Sequence, residues 1–313
     1  MRDFFFVVGK EDVNKRVDLF LSEKIEGVSR NEILSSIKEK GVSVNGKIFK
    51  KGGIRLKEGD EVRIELLPRR ELSAKPQEIP IDVVYQDEFF AIVNKRAGMV
   101  VHPAPGNYDG TLANALMYHF NSLPGYDSLR PGIVHRLDKL TSGLLIIPLR
   151  KDVLEKFSKY FKERKIRKKY KALLYGRLSQ KVEVNFPIGR DRKNRVKMAV
   201  DIRQGREAKT IFSPEEFLEN FTLVDVEIHS GRTHQIRVHA SHIGHPVVGD
   251  DLYDRGFLNR VEFKKYKGLI SGLNRYFLHA YFLEFYHPIS GKLLTVEIDL
   301  PEELRNFLKN LRG

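Results

Sequence analysis

Three stretches of the chain crowd charged and polar residues where a core strand or an ordinary turn needs none. Each holds a side chain able to take part in chemistry. In the first, Gly132-Ile133-Val134-His135-Arg136-Leu137-Asp138-Lys139-Leu140-Thr141-Ser142-Gly143, a carboxylate sits between two cations in a turn joining apolar runs. Opposite charge nearby favours an ionised carboxylate, so Arg136 and Lys139 are expected to keep Asp138 charged. Taken alone, the stretch reads more simply as a turn aspartate in local ion pairs, because loops carry charge routinely. The second stretch runs from Ser230 to His242 and includes Gly231-Arg232-Thr233-His234-Gln235-Ile236-Arg237. Thr233 is expected to cap a helix whose buried stripe is Ile236, Ala240 and Ile243. Arg237 then projects beside that stripe, where it can meet a buried or half-buried carboxylate. The histidines raise a metal site, but His234 lies on a different face from His239 and His242, and no HExxH arrangement is present. Packing, helix-end hydrogen bonds or RNA contacts suit them better. In the third stretch, Lys168-Lys169-Tyr170-Lys171-Ala172-Leu173, Tyr170 shares a strand face with Ala172 and Leu174. Its ring can pack in a core or stack on a base, and spacing leaves both open.

The elements that must position these residues fall into two groups. The first ~66 residues pattern as a small independent unit. Leu19, Phe20 and Ile25 suggest a short helix, and a second starts at Ser29, where Glu32 completes a capping box ahead of Ile33, Leu34 and Ile37. Asn45-Gly46 between alternating apolar residues predicts a hairpin, and Val62, Ile64 and Leu66 alternate as a strand. Residues 68–80, with three prolines, paired arginines and few apolar residues, read as a linker. From Ile81 onward, strands at 91–93, 144–147, 170–175 and 224–228 mix with an amphipathic helix carrying Val153, Leu154, Phe157, Tyr160 and Phe161. Without regular βα alternation, a doubly wound parallel sheet is not expected. The expectation is an α+β domain with a mixed, mainly antiparallel sheet.

Composition narrows the partners. The net charge of +14 over 313 residues argues for a polyanion. No apolar run approaches the ~20 residues that a spanning helix needs, and the N-terminus does not read as a signal peptide. Cysteine is absent, which removes disulfides, thiolate nucleophiles and thiolate-bound metals; a cytoplasmic protein is the simplest reading. The positive charge is clustered at 162–171, at Arg190, Arg192, Lys193, Arg195 and Lys197, and at Arg30, Lys38, Lys40, Lys47, Lys50 and Lys51. One such cluster is as readily a solvated face. Three together favour nucleic acid held through its phosphates, and no signature for reading duplex DNA accompanies them.

The three chemical stretches, taken together, resemble the RNA pseudouridine synthases of the large-subunit ribosomal family. His135-Arg136-Leu137-Asp138 matches the family's catalytic motif. The likeness extends through Val101-His102-Pro103-Ala104-Pro105-Gly106-Asn107, Pro187 to Asp191, Gly231 to His239, His245 to Asp250 and Leu278-His279-Ala280. Residues 1–67 are similar to an S4-like RNA-binding domain, through Arg16-Val17-Asp18, Ser29-Arg30 and Val44-Asn45-Gly46. Residues 81–313 correspond to the catalytic domain with its central cleft, and 101–107 look most like the synthase D branch. Leu140, Arg96, and Pro148 with Leu149 depart from the family's usual residues without touching the matched catalytic set.

The resemblance implies isomerisation of uridines in large-subunit rRNA, by an essential aspartate and base flipping, with no cofactor or metal. No long apolar surface stripe in the sequence demands an oligomer. Asp138 would be the carboxylate, Arg237 its ion-pair partner and Tyr170 the residue against the target base. Arg136 would help replace the extruded base. His135, Lys139, Arg190, Arg232 and His234, with Arg30 and Lys47 from the first unit, are the further expected RNA contacts. Extruding a stacked base costs a few kcal/mol, part of which an inserted cation offsets, and a carboxylate suits chemistry at a sugar carbon. Two other readings compete: a non-catalytic RNA-binding ribosome-assembly factor, and a nucleoside glycosidase, which would need neither the first unit nor so much positive charge.

Overall fold

The computed structural model describes residues 2–67, 75–104, 106–120, 122–125, 130–194 and 196–312. The chain divides into two compact units, Met1–Glu71 and Leu72–Gly313. The first seven residues of the expected linker, together with Pro105 and Arg195, lie outside the described residues. The remaining linker residues belong to the second unit: the Gln77 N–H donates to the Asn114 carbonyl, and Asn114 Nδ2 donates to the Lys75 carbonyl.

The first unit contains β1 (Arg2–Val7), α1 (Val17–Lys24), α2 (Arg30–Glu39), β2 (Val42–Val44), β3 (Lys47–Phe49) and β4 (Glu61–Leu66). The strands form one antiparallel sheet in the order β1-β4-β2-β3. Ser29 accepts from the Glu32 N–H while Glu32 bonds the Ser29 N–H, so the capping box starts α2 as its sequence predicts. Asn45 and Gly46 turn the β2–β3 hairpin with φ of 51° and 78°, the left-handed pair that a two-residue turn requires. Two details differ from the sequence reading. The short apolar run at the N-terminus is a strand, β1, whose Phe4 and Phe6 turn inward on alternate residues. In α1 the buried face is Val17, Phe20 and Leu21, and Leu19 points outward.

The second unit is built on a nine-stranded sheet. It comprises β5 (Asp82–Gln86), β6 (Phe90–Lys95), α3 (Leu112–His119), β7 (Ser142–Pro148), α4 (Lys151–Lys162), β8 (Arg167–Tyr175) and β9 (Val182–Val184), then a small ribbon of β10 (Ile188–Arg190) and β11 (Met198–Val200). β12 (Thr210–Leu218), β13 (Phe221–Ile228), α5 (Gln235–His242), α6 (Lys267–Gly272), β14 (Leu278–Tyr286), β15 (Leu293–Glu297) and α7 (Glu302–Arg312) complete it. The strand order is β5-β6-β7-β14-β8-β13-β12-β9, with β15 also on β14. Only β7 and β14 run parallel among the described pairs, so the sheet is mixed and mainly antiparallel.

Alternation along the strands gives the sheet two covered faces. Tyr170, Ala172 and Leu174 of β8 join one core with Leu112 and Leu116 of α3 and Ile236 and Ala240 of α5. Leu173 and Tyr175 point the other way, into a core with Phe307 and Leu311 of α7. Phe157 of α4 packs with Ile146 and Phe285 on that second face. Gly143 sits where the parallel strands meet, at φ 119°, and a Cβ there would lie 2.1 Å from the Ala280 carbonyl oxygen. Glycine is therefore required just after the turn that carries Asp138. Among the described residues, no helix is long and apolar enough to cross a membrane.

Candidate active site

The α3–α5 face of the sheet gathers the three chemical stretches. The Asp138 turn enters β7, and its backbone is closed by a Thr141 N–H donating to the Asp138 carbonyl. Leu137 is buried and anchors the turn from below. Arg237 comes from α5, 99 residues later, and its Nη1 donates to Asp138 Oδ2 at 3.1 Å. Tyr170, on β8, and Arg136 line the same small pocket as Asp138, a cavity of ≈ 80 Å³. The Asp138 side chain is 18% exposed, so its carboxylate is reachable. Among the described residues no hydrogen bond falls on Oδ1, which leaves that oxygen for a ligand.

This arrangement corrects one expectation. Asp138 is not paired with its neighbours Arg136 and Lys139, whose side chains are exposed. Its partner is Arg237, and the His234 Nε2 lies 3.9 Å from the same oxygen. A tight turn points consecutive side chains apart, whereas α5 aims one long side chain across the sheet end. The cap of α5 is a second correction. Thr233 is exposed and His234 occupies the N-cap at φ 56° with no side-chain cap bond. Gln235 holds the helix entry instead. Its Oε1 accepts from Ser230 Oγ at 2.7 Å and the Arg232 N–H at 3.0 Å, and its Nε2 donates to the Lys209 carbonyl and to Thr210 Oγ1.

Arg237 is held by more than Asp138. Its Nε and Nη2 donate to both oxygens of the buried Asp250, at 2.6 and 2.9 Å, a two-pronged pairing that fixes the guanidinium plane. Tyr276 and Tyr253 lie over that plane, at 4.3 and 5.0 Å from their ring centres. Burial works against the Arg237 charge, but the hydrogen-bonded Asp250 and the nearby negative groups outweigh it and hold the guanidinium protonated. Burial, helped by the charge on Asp138, pushes the Tyr170 hydroxyl far up, so the phenol stays neutral. The residue is 8% exposed, with the cavity on one side and Ala172 and Leu174 in the same core. Burial pushes His234 down, with Asp138 opposing; its Nδ1 bonds the Tyr253 hydroxyl at 2.8 Å.

A larger cavity of ≈ 390 Å³ adjoins this pocket and shares Arg136, Tyr170, Ile228, Gly231 and Arg232 with it. Its described lining holds six lysines and arginines (Arg130, Arg136, Lys162, Arg164, Lys168 and Arg232) and no carboxylate. His135 lies in its wall, but Nε2 accepts the Ile146 N–H at 2.8 Å and the ring lies 4.5 Å from that of Phe161. Burial pushes His135 down to about 3, with Lys168 adding to the effect, so it stays the neutral acceptor that β7 needs. The remaining expected contacts are dispersed. Arg190 ends β10 and is exposed, and Arg232 Nε is bound to the Glu207 carbonyl. In the first unit Arg30 pairs with the fully buried Asp18 at 2.6 Å, and Lys47 is exposed on β3. His239 is a packing residue: it bonds Thr210 Oγ1 and the Phe186 carbonyl.

A family model described as RNA pseudouridylate synthase matches residues 90–242, and one described as an S4 domain matches residues 15–62. A protein of Aquifex aeolicus named uncharacterized RNA pseudouridine synthase is 40% identical, across 96% of this chain and 94% of its own. The chain belongs to the RNA pseudouridine synthase family. The ribosomal large subunit pseudouridine synthase D of Zymomonas mobilis is 37% identical across 96% of this chain and 95% of its own. Among solved structures, human RNA pseudouridylate synthase domain containing 1 aligns with a TM-score of 0.55 at 27% identity, covering 76% of this chain and 96% of that one. The synthase is accordingly an isomerase with an S4 domain.

Two groups in the synthase escaped sequence reasoning. Asp250 lay in a recognised motif without a role, because only the tertiary fold brings it to Arg237. Lys95, 1% exposed, ends β6 two residues beyond the strand expected at 91–93. Its Nζ donates to the carbonyls of Arg96, Met99 and Lys139, tying the Asp138 turn to β6. Burial, with Arg275 adding and Asp138 opposing, pushes it down to about 7. A lysine at the end of an otherwise apolar strand is the one signal that could have found it. Among the described residues no three His, Asp or Glu side chains converge as metal ligands.

Proposed function

We propose that this cytoplasmic enzyme converts specific uridines of large-subunit rRNA to pseudouridine, with Asp138 as the essential carboxylate and no cofactor. In that reaction the N1–C1′ bond breaks, the uracil turns, and a C5–C1′ bond forms. The proton leaves C5 and one is gained at N1, so the product is an isomer. The observation that carries the reading is the pairing of Asp138 Oδ2 with Arg237 Nη1 at 3.1 Å, beside Tyr170, in a pocket where no hydrogen bond among the described residues falls on Oδ1. A fixed guanidinium orients the carboxylate, and the open oxygen can reach the sugar of an extruded uridine. Tyr170 would lie against the uracil, and Arg136, exposed at the pocket edge, would enter the gap the base leaves. Residues 1–67 would hold structured RNA as the S4-like domain, and 81–313 would carry the chemistry. The assembly-factor reading does not account for the open oxygen and its arginine clamp.

Chemical mapping of pseudouridine in rRNA incubated with and without the enzyme tests the proposal. New pseudouridines are expected only with the active protein. Asp138→Asn is expected to abolish them while RNA affinity stays within a few-fold of wild type. Full activity in that variant removes Asp138 from the chemistry.

A further inference from the structure

We propose that the larger cavity beside Asp138 is a subsite for the phosphodiester of a nucleotide adjoining the target uridine, anchored by the Lys168 ammonium. The inference rests on the reading of Asp138 as the reacting carboxylate and adds a substrate contact to it. Lys168 stands two residues before Tyr170 on β8, so the two side chains leave the same face of the strand. The other cations of this strand end have acid partners. Arg167 pairs with Glu227 at 3.1 Å, Lys169 with Asp225 at 3.5 Å, and Lys171 with Asp225 and Glu215. Among the described residues no carboxylate pairs with Lys168. Its ammonium lies 5.5 Å from the Phe161 ring centre, in the cavity wall.

A half-buried ammonium without a carboxylate bears a desolvation cost, which among the described residues only the Phe161 ring partly offsets. That burial pushes Lys168 down to about 8. An incoming phosphate oxygen would supply the missing charge and a charge-assisted hydrogen bond. The neighbouring wall repeats the preference, with five further cations and no described carboxylate. The ≈ 390 Å³ volume accepts a phosphate together with its ribose. Because five residues are common to both cavities, a strand with its uridine on Asp138 continues directly into the larger one. His135 stays neutral there and so does not compete for the anion.

The test uses the full-length enzyme and synthetic RNA stem–loops carrying a mapped target uridine. Each has one neutral methylphosphonate, placed in turn at the two linkages before and the two after that uridine. Binding and single-turnover rate are measured for wild type, Lys168→Met and Lys168→Arg. One linkage is expected at which neutralisation weakens wild-type binding about tenfold, the size of one charge-assisted hydrogen bond. At that linkage Lys168→Met should lose nothing further, and Lys168→Arg should recover the wild-type response. The salt slope of Lys168→Met should fall by about one phosphate. If every methylphosphonate costs Lys168→Met as much as wild type, or none affects wild type, the subsite is overturned. Should Lys168→Met fail to fold by thermal melt, Lys168→Gln enters the same scan. Failure of the Asp138 reading looks different: binding persists with its linkage pattern, but no pseudouridine forms.

Discussion

Three side chains make one charge unit, with Asp138 99 residues before Arg237 and Asp250 13 after it. The guanidinium serves two carboxylates unequally. Asp250 takes the two-pronged contact and is fully buried, so it sets the plane, while Asp138 takes a single bond and keeps an oxygen open. Removing one partner of a buried ion pair leaves the other uncompensated, at about 3–5 kcal/mol. Asp250→Ala is therefore expected to lower stability by that order in urea melts. It should also reduce kcat, with RNA affinity largely kept, because the arginine loses its orientation. A variant with wild-type kcat would show that Asp138 needs no such clamp. His135 makes a second prediction at this scale. Its folded value near 3 lies below the ordinary ~6.5, so the unfolded chain binds the extra proton. The stabilisation is fully present above pH ~6.5 and is lost as pH falls toward 3. Denaturant melts between pH 7 and 5 should show a shallower loss in His135→Gln than in wild type. An equal slope in both would mean that the imidazole is not the titrating group.

At the scale of elements, the site depends on where two strands begin. β7 leaves the Asp138 turn and immediately meets β14 in parallel, with Gly143 against Ala280. Gly143→Ala would set a side chain into the Ala280 backbone and strain a positive φ, costing about 1–3 kcal/mol from the backbone alone. Lower stability together with reduced activity is the expected outcome, measured by thermal melts and turnover. A stable variant with normal turnover would show that the strand pair can open without moving Asp138. β8 works by alternation: one face sends Lys168 and Tyr170 toward the cavities, and the other sends Leu173 and Tyr175 into the opposite core. α5 supplies Arg237 without a Thr233 cap. The histidine at its start takes a left-handed backbone that only a few residue types tolerate, and this is why a capping rule misread the boundary by one residue.

Over the whole molecule, the +14 charge is distributed between two units with separate cores. If residues 1–67 hold RNA through phosphates, their removal should weaken binding to structured RNA and flatten its salt dependence. Filter binding across a salt series checks this, and an unchanged slope would mean that the unit makes no phosphate contact.

Much of this protein was legible before any coordinates. The capping box at Ser29 and Glu32, the Asn45-Gly46 hairpin and the period-2 strands are local physics, in which the deciding interactions lie within a few residues. The His135–Asp138 and Gly231–His239 stretches marked the family because they occur together with other matching stretches in the same order. What only the tertiary structure decided was company. Asp138 looked tied to Arg136 and Lys139, yet its charge is balanced by Arg237, 99 residues away. Asp250, Lys95 and Lys168 acquired meaning only through burial and distance. Ion pairing and desolvation depend on separation in space, and chain order does not carry that separation across a nine-stranded sheet.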